Sequence, residues 1–153
     1  MFHERLTLPW WLWLAALSLA GLLAAELHLG AQGTREWLPY AIIVPLVAFG
    51  CVWMGRLRVA VTGGELQVDD ARLPTRFIEG IEPLDAAARR DVLGVHSHPL
   101  AFVIQRPWIS GTALVTLNDP DDPTPYWVVS TRHPEALAAA VRATQRAERA
   151  AAT

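Results

Sequence analysis

Cysteine is almost missing from this chain and lysine is missing altogether: 153 residues hold one thiol, Cys51, and all thirteen basic side chains are arginine. A lone thiol inside an apolar run builds neither an intrachain disulfide framework nor a cysteine-based metal site, so the fold must stand on packing. An excess of positive charge is missing too. From Arg56 onward, eleven arginines meet twelve carboxylates, a net of minus one. Nothing there resembles the basic footprint that a phosphate backbone demands, and no nucleic acid is expected as a partner. There is no glycine-rich phosphate loop, no nucleophile elbow around Ser97, Ser110 or Ser130, and no pair of carboxylates on a recognisable scaffold. No enzyme activity and no cofactor are therefore expected. The arginine-only usage, beside abundant alanine, reads as a coding habit and carries no chemistry.

Apolar sequence is what the chain has in excess. Hydrophobic residues make up 52% of it and the mean hydropathy is +0.24, with the surplus concentrated before Gly55. Leu8 to Ala25 carries no charge, and with Glu26 to Leu29 added it is long enough as a helix to cross about 30 Å of hydrocarbon. A cleaved leader would have a shorter apolar core ending in a small-x-small site, which Leu23-Ala-Ala-Glu26 fits poorly. Trp37 to Met54 is a second uncharged run, near the short end of the roughly 17 to 25 residues a span needs. The expectation is a transmembrane helical hairpin over residues 1–55, with spans at about 8–29 and 37–55, joined by a turn at Gly30 to Glu36.

Trp10, Trp11 and Trp13, and Trp37, Tyr40 and Trp53, fall near the span ends, where amphipathic rings prefer to sit. Arg5 precedes the first span and Arg56 and Arg58 follow the second, while the loop holds Arg35 alone. That asymmetry predicts a multi-pass protein of the cell membrane with both termini cytosolic. Pro45 removes the backbone bond to Ala41, so a kink is expected. Ala16, Ala20 and Ala24 recur on one helix face, and Cys51 with Gly55 forms a small pair on the other. They suit close packing within the hairpin or, alternatively, contact in a homo-oligomer. Glu26 and His28 are the only ionisable residues at depth. They belong either to a transport path or to the interface, where two positions apart they point to different faces.

From Arg56 to about residue 150 the pattern turns to β structure. Arg56 to Thr62 and Glu65 to Asp69 alternate polar and apolar residues around Gly63-Gly64, as a two-residue hairpin does. Arg76 to Ile81, Leu100 to Gln105, Thr112 to Leu117 and Tyr126 to Ser130 read as further strands, at least six in all. Asp85 to Leu93 reads as a short helix with an Asp start and a Gly94 stop. A final amphipathic helix opens at Pro134 with Leu137, Ala140, Val141 and Thr144 on one face. The pattern is an α+β chain whose antiparallel β domain is closed by a C-terminal helix.

The step Ser130-Thr-Arg-His-Pro-Glu135 between last strand and last helix, together with the strand order, resembles the bacterial pleckstrin-homology-like domains that often follow membrane spans. A second likeness covers nearly the whole chain. It is carried by Phe2-x-Glu4-Arg5-Leu6 before Pro9-Trp10-Trp11, by Ala25-Glu-Leu-His-Leu-Gly30, by Ala71-Arg-Leu-Pro74, by Arg106-Pro-Trp108 and by the run from Asp119 to Trp127. In these the chain resembles an uncharacterised family of two-span actinobacterial membrane proteins, the domain of unknown function 3093. The resemblance implies a membrane location and a fold, and no assigned activity. A fold-level likeness says nothing about function by itself.

Four groups of residues qualify as candidate sites. Arg106 and Trp108, with Tyr126 and Trp127, combine large rings with a fixed charge, the chemistry of a peptide or lipid-headgroup contact; the competing reading turns one ring of each pair into the core. Glu26 and His28 form the intramembrane polar pair. Asp119, Asp121 and Asp122 could supply oxygens to a hard cation, yet their prolines suit a rigid turn and the glycine and terminal Glu of a calcium loop are missing. His96 and His98 alternate as zinc ligands can, with no third ligand spaced to join them, so no metal is assigned. The function expected is a membrane-anchored interaction or scaffold module at the inner face of the membrane. Its partners would be membrane lipids and a membrane or cytosolic protein. The alternative is an accessory subunit or small transporter component acting through its helices.

Overall fold

A computed structural model of the chain describes residues 2–30, 37–94 and 97–151. It divides into two compact units: Thr7–Leu57, and a discontinuous one made of Met1–Leu6 and Arg58–Thr153. The segment ahead of the first helix thus goes with the β structure, whereas the sequence pattern assigned all of residues 1–55 to the helices.

The helical unit holds α1 (Trp10–Gly30) and α2 (Leu38–Met54). The ring of His28, near the end of α1, meets Tyr40, near the start of α2, edge to face at 5.9 Å. At the opposite ends a Cβ on Gly55 would lie 3.4 Å from the backbone nitrogen of Leu8. The two helices therefore run antiparallel. Ala20, Ala24 and Cys51 are the buried side chains between them, as small residues at a close helix crossing should be. The outer surface stays apolar: Leu14, Leu22, Leu27, Ile42, Leu46 and Phe49 are all exposed. Among the described residues only α1 is both long and apolar enough to cross a membrane; α2, with 17 residues, reaches about 26 Å at 1.5 Å per residue. Where spans were expected at about 8–29 and 37–55, the helices run Trp10–Gly30 and Leu38–Met54, and the second is too short to pass as a span by length.

The other unit is built on two four-stranded sheets. β1 (Phe2–Arg5), β2 (Arg58–Thr62), β3 (Glu65–Val68) and β4 (Ala71–Pro74) form an antiparallel sheet in that order. The β2–β3 turn needs positive φ at both central positions, and Gly63 (59°) and Gly64 (81°) supply it. A 3₁₀ turn, Thr75–Phe77, then leads into β5 (Ile78–Leu84). The strand expected from Arg76 thus starts two residues later, because the Thr75 N–H bonds the Gly64 carbonyl and holds the chain in a turn.

Next come α3 (Ala86–Leu93), β6 (Phe102–Ile104), β7 (Thr112–Leu117), β8 (Tyr126–Ser130) and α4 (Pro134–Ala151). The second sheet has the order β5-β7-β8-β6. Its β6–β8 pair is parallel, a departure from the all-antiparallel expectation. The reason is the crossover: β5 and β6 run the same way in one sheet, which a tight hairpin cannot achieve and the α3 connection can. The core draws Val59, Leu66 and Val68 from the first sheet and Ile81, Val115, Val128 and Val129 from the second. The apolar stripe Leu137, Ala138 and Val141 of α4 is buried, and α4 touches β1 and β2 as well as β5 and β7, so it closes both sheets.

Candidate functional site

Ladder register decides which of the candidate residues can meet. β6 pairs β8 from Phe102↔Trp127 to Ile104↔Val129, and the Arg106 backbone N–H then donates to Ser130 Oγ at 3.0 Å. Arg106 and Trp108 therefore sit at one end of β8 and Tyr126 and Trp127 at the other, roughly 13 Å apart at strand rise. The four residues make two places rather than one.

At the Tyr126 end, Trp127 is buried and packs on Phe102 with ring centroids 4.5 Å apart. Tyr126 faces the other way, and its hydroxyl accepts the His98 N–H at 2.9 Å. At the Ser130 end, the Arg106 guanidinium lies 5.7 Å from the Trp108 ring, within cation–π range. Among the described residues Arg106 Nε, Trp108 Nε1 and Thr112 Oγ1 are buried and have no hydrogen-bond partner. Thr112 is the cross-strand partner of Ser130, so all three lie around one strand end.

A second constellation was not singled out from the sequence as a site. Glu4, on β1, is buried, and burying a carboxylate is costly unless it is bonded. Its Oε2 accepts the Thr131 hydroxyl at 2.5 Å and its Oε1 accepts the Arg132 N–H at 2.9 Å. Arg132 Nη1 donates to the Arg5 carbonyl at 3.0 Å and lies 3.9 Å from Glu4 Oε1. His133 Nδ1 is 4.0 Å from Oε2, and the His133 N–H donates to Thr131 Oγ1 at 3.1 Å. One carboxylate thus joins the N-terminal strand to the corner between β8 and α4. Its only sequence signal was the Phe2-x-Glu4-Arg5-Leu6 motif, which carries no information about a partner more than a hundred residues away.

The remaining candidates are spent locally. Asp119 Oδ1 accepts the Asp121 N–H at 3.0 Å and Asp122 Oδ1 accepts the Thr124 N–H at 2.8 Å, two side-chain turns in succession. The Thr124 hydroxyl, and then its N–H, hold the Asp122 carboxyl below its ordinary pKa. His98 Nδ1 accepts the Leu100 N–H at 3.2 Å, and His96 lies outside the described residues. Among the described residues no group of three or more His, Cys, Asp or Glu converges. Glu26 is exposed on α1 while His28 packs on Tyr40, so the two do not come together.

An open groove of about 270 Å³ is lined by Arg76, Ile78, Gln145, Glu148 and Arg149. Its polar groups bind the protein itself: Gln145 Nε2 donates to the Thr75 and Ile78 carbonyls at 2.9 and 2.7 Å, and Thr75 Oγ1 donates to Glu148 Oε2 at 2.9 Å. They anchor α4 to the turn before β5.

Residues 1–141 match the model of a family described as protein of unknown function, DUF3093. No curated protein and no solved structure matches the chain.

Proposed function

We propose that this chain, which belongs to the DUF3093 family of proteins of unknown function, is a membrane-anchored interaction module: a helical hairpin holds a pleckstrin-homology-like β domain at the inner face of the cell membrane. The observation that carries this is the β1–β2 ladder, in which Phe2 pairs with Val61 and Arg5 with Arg58 while both helices lie between the two strands in sequence. If α1 crosses the membrane, residues 2–5 can reach β2 only when the chain crosses back, and α2 is the apolar segment available to do so. Two crossings put residues 2–5 and the β domain on one side. Arg5, Arg56 and Arg58 beside the helix ends support the cytosol as that side.

Exposure supports the anchor. Seventeen of the nineteen exposed large apolar side chains belong to the helical unit, among the described residues, and an outer surface of that kind suits lipid and not water. A buried core helix would pass the same length test, but only 11% of α1 is buried. A cleaved leader fits poorly, because cleavage after α1 would strip β1 from its sheet and Glu4 from Thr131 and Arg132. The short α2 is accommodated by local thinning of the bilayer. Two sheets closed by a C-terminal helix support the pleckstrin-homology-like reading, as an analogy of architecture.

Tethering raises the domain's effective concentration at the membrane. The partner is a protein, bound at the half-buried Arg106 and Trp108, whose guanidinium and ring lie 5.7 Å apart. The test has two parts. Sodium carbonate should leave the chain in the membrane pellet, and photocrosslinking from position 108 in native membranes should capture a protein that Arg106→Ala loses. Release by carbonate, or capture of lipid and the chain itself alone, would defeat the proposal.

A further inference from the structure

The strand that precedes the helices does more than fill a sheet edge. β1 covers β2, and its Glu4 carboxylate receives the Thr131 hydroxyl and the Arg132 N–H at the entry to α4. Arg132 in turn donates to the Arg5 carbonyl, so one corner grips two consecutive residues of β1. Thr131 has no exposed surface and Glu4 is 8% exposed. Without Glu4, the buried Thr131 hydroxyl loses its acceptor.

We propose that β1 is a topological latch, which lets the β domain close only after the helices have crossed the membrane and returned. The inference rests on the two-crossing reading. A chain inserted with residues 2–6 on the far side has the same residues from β2 to α4, yet it lacks the edge strand and the acceptor for Thr131 and Arg132. Closure of the domain thereby reports that both helices have crossed, and a chain that crosses only once stays open to proteolysis. Selection by topology requires that the latch residue be separated in sequence from its partners by the whole membrane segment. Glu4 and Thr131, on opposite sides of α1 and α2, satisfy that.

The test uses the full chain in inverted membrane vesicles, with trypsin acting on the exposed arginines of the β domain, such as Arg72 and Arg76. Glu4→Gln keeps one acceptor and turns an amide N–H towards the donors. It should shorten the tryptic half-life of the domain about tenfold while the helices stay in the carbonate pellet. His3→Ala, on the same strand but exposed, should leave the half-life unchanged.

A second chain carries an exported domain fused ahead of Met1 together with Ile42→Arg and Leu46→Arg on α2, which keep α2 from crossing, so that residues 2–6 lie outside while the β domain faces the trypsin. Its β domain should be cut at least as fast, and adding Glu4→Gln should change nothing further. A resistant β domain in that chain, or the same loss from Glu4→Gln in both orientations, overturns the latch. If Glu4→Gln yields no protein, Thr131→Val, which removes one donor and keeps the carboxylate, should give a smaller loss, again only in the native orientation. Release of the unmodified chain by carbonate overturns the anchor beneath the proposal, a result distinct from an anchored chain whose domain stays closed.

Discussion

Gly111→Ala should open the β domain at the corner where its pieces meet. A Cβ on Gly111 would fall well inside van der Waals contact of the Thr131 carbonyl oxygen, with Pro134 Cδ 3.3 Å away. The Thr131 oxygen cannot swing aside, since it is backbone and the Thr131 N–H bonds the Gly111 carbonyl at 3.1 Å. Relieving the overlap moves this peptide by about 1 Å, at the overpacking cost of roughly 1–3 kcal/mol. Loss of the N–H bond adds about 1 kcal/mol. The sum, about 2–4 kcal/mol, lowers the urea midpoint by roughly 1–3 M for a domain of this size. Pulse proteolysis of the purified chain in detergent micelles across a urea series reads that midpoint. Gly80→Ala is the comparison: nothing lies within 4 Å of its added carbon, and the smaller entropy of the unfolded chain makes it neutral or stabilising by up to about 1 kcal/mol. Equal midpoints for the two variants would refute the assignment of Gly111 to a forced close approach.

Three further outcomes follow from local geometry. Asp85→Ala removes the side chain that accepts the N–H groups of Ala87 and Ala88 at the start of α3; it should cost about 1 kcal/mol, seen as roughly fivefold faster amide exchange in that helix, and unchanged exchange would argue against the cap. Trp127→Ala empties a buried, ring-packed position and should cost about 3–5 kcal/mol, whereas the half-buried Trp108→Ala should cost roughly half that or less, both read as urea midpoints. The carboxyl of Asp122 should titrate below its ordinary range because the Thr124 hydroxyl and N–H favour its charged form. The turn's contribution is then complete above the ordinary carboxyl pKa and lost as pH falls through the lowered folded value. A ¹³C titration of the carboxyl checks this, and Thr124→Ala should move the value back up.

Properties that depend on neighbours in sequence were legible without coordinates. The apolar runs, the Gly63-Gly64 hairpin, the Asp85 start of α3, strands Thr112–Leu117 and Tyr126–Ser130, and Pro134 at the head of α4 all follow from periodicity, turn chemistry and capping. Candidate residues were readable as chemical types, but their grouping was not: residue type alone groups Arg106 and Trp108 with Tyr126 and Trp127, and strand register separates them along β8. β1 escaped notice because four alternating residues ahead of an apolar run have no partner nearby to justify a strand.

Tertiary structure decided the rest, for one physical reason. The pairing of Phe2–Arg5 with Arg58–Val61, the parallel β6–β8 contact and the bonds from Glu4 to Thr131 and Arg132 all join residues far apart in the chain. Such contacts exist only once the segments between them have folded and brought the ends together, and no local pattern encodes that distance.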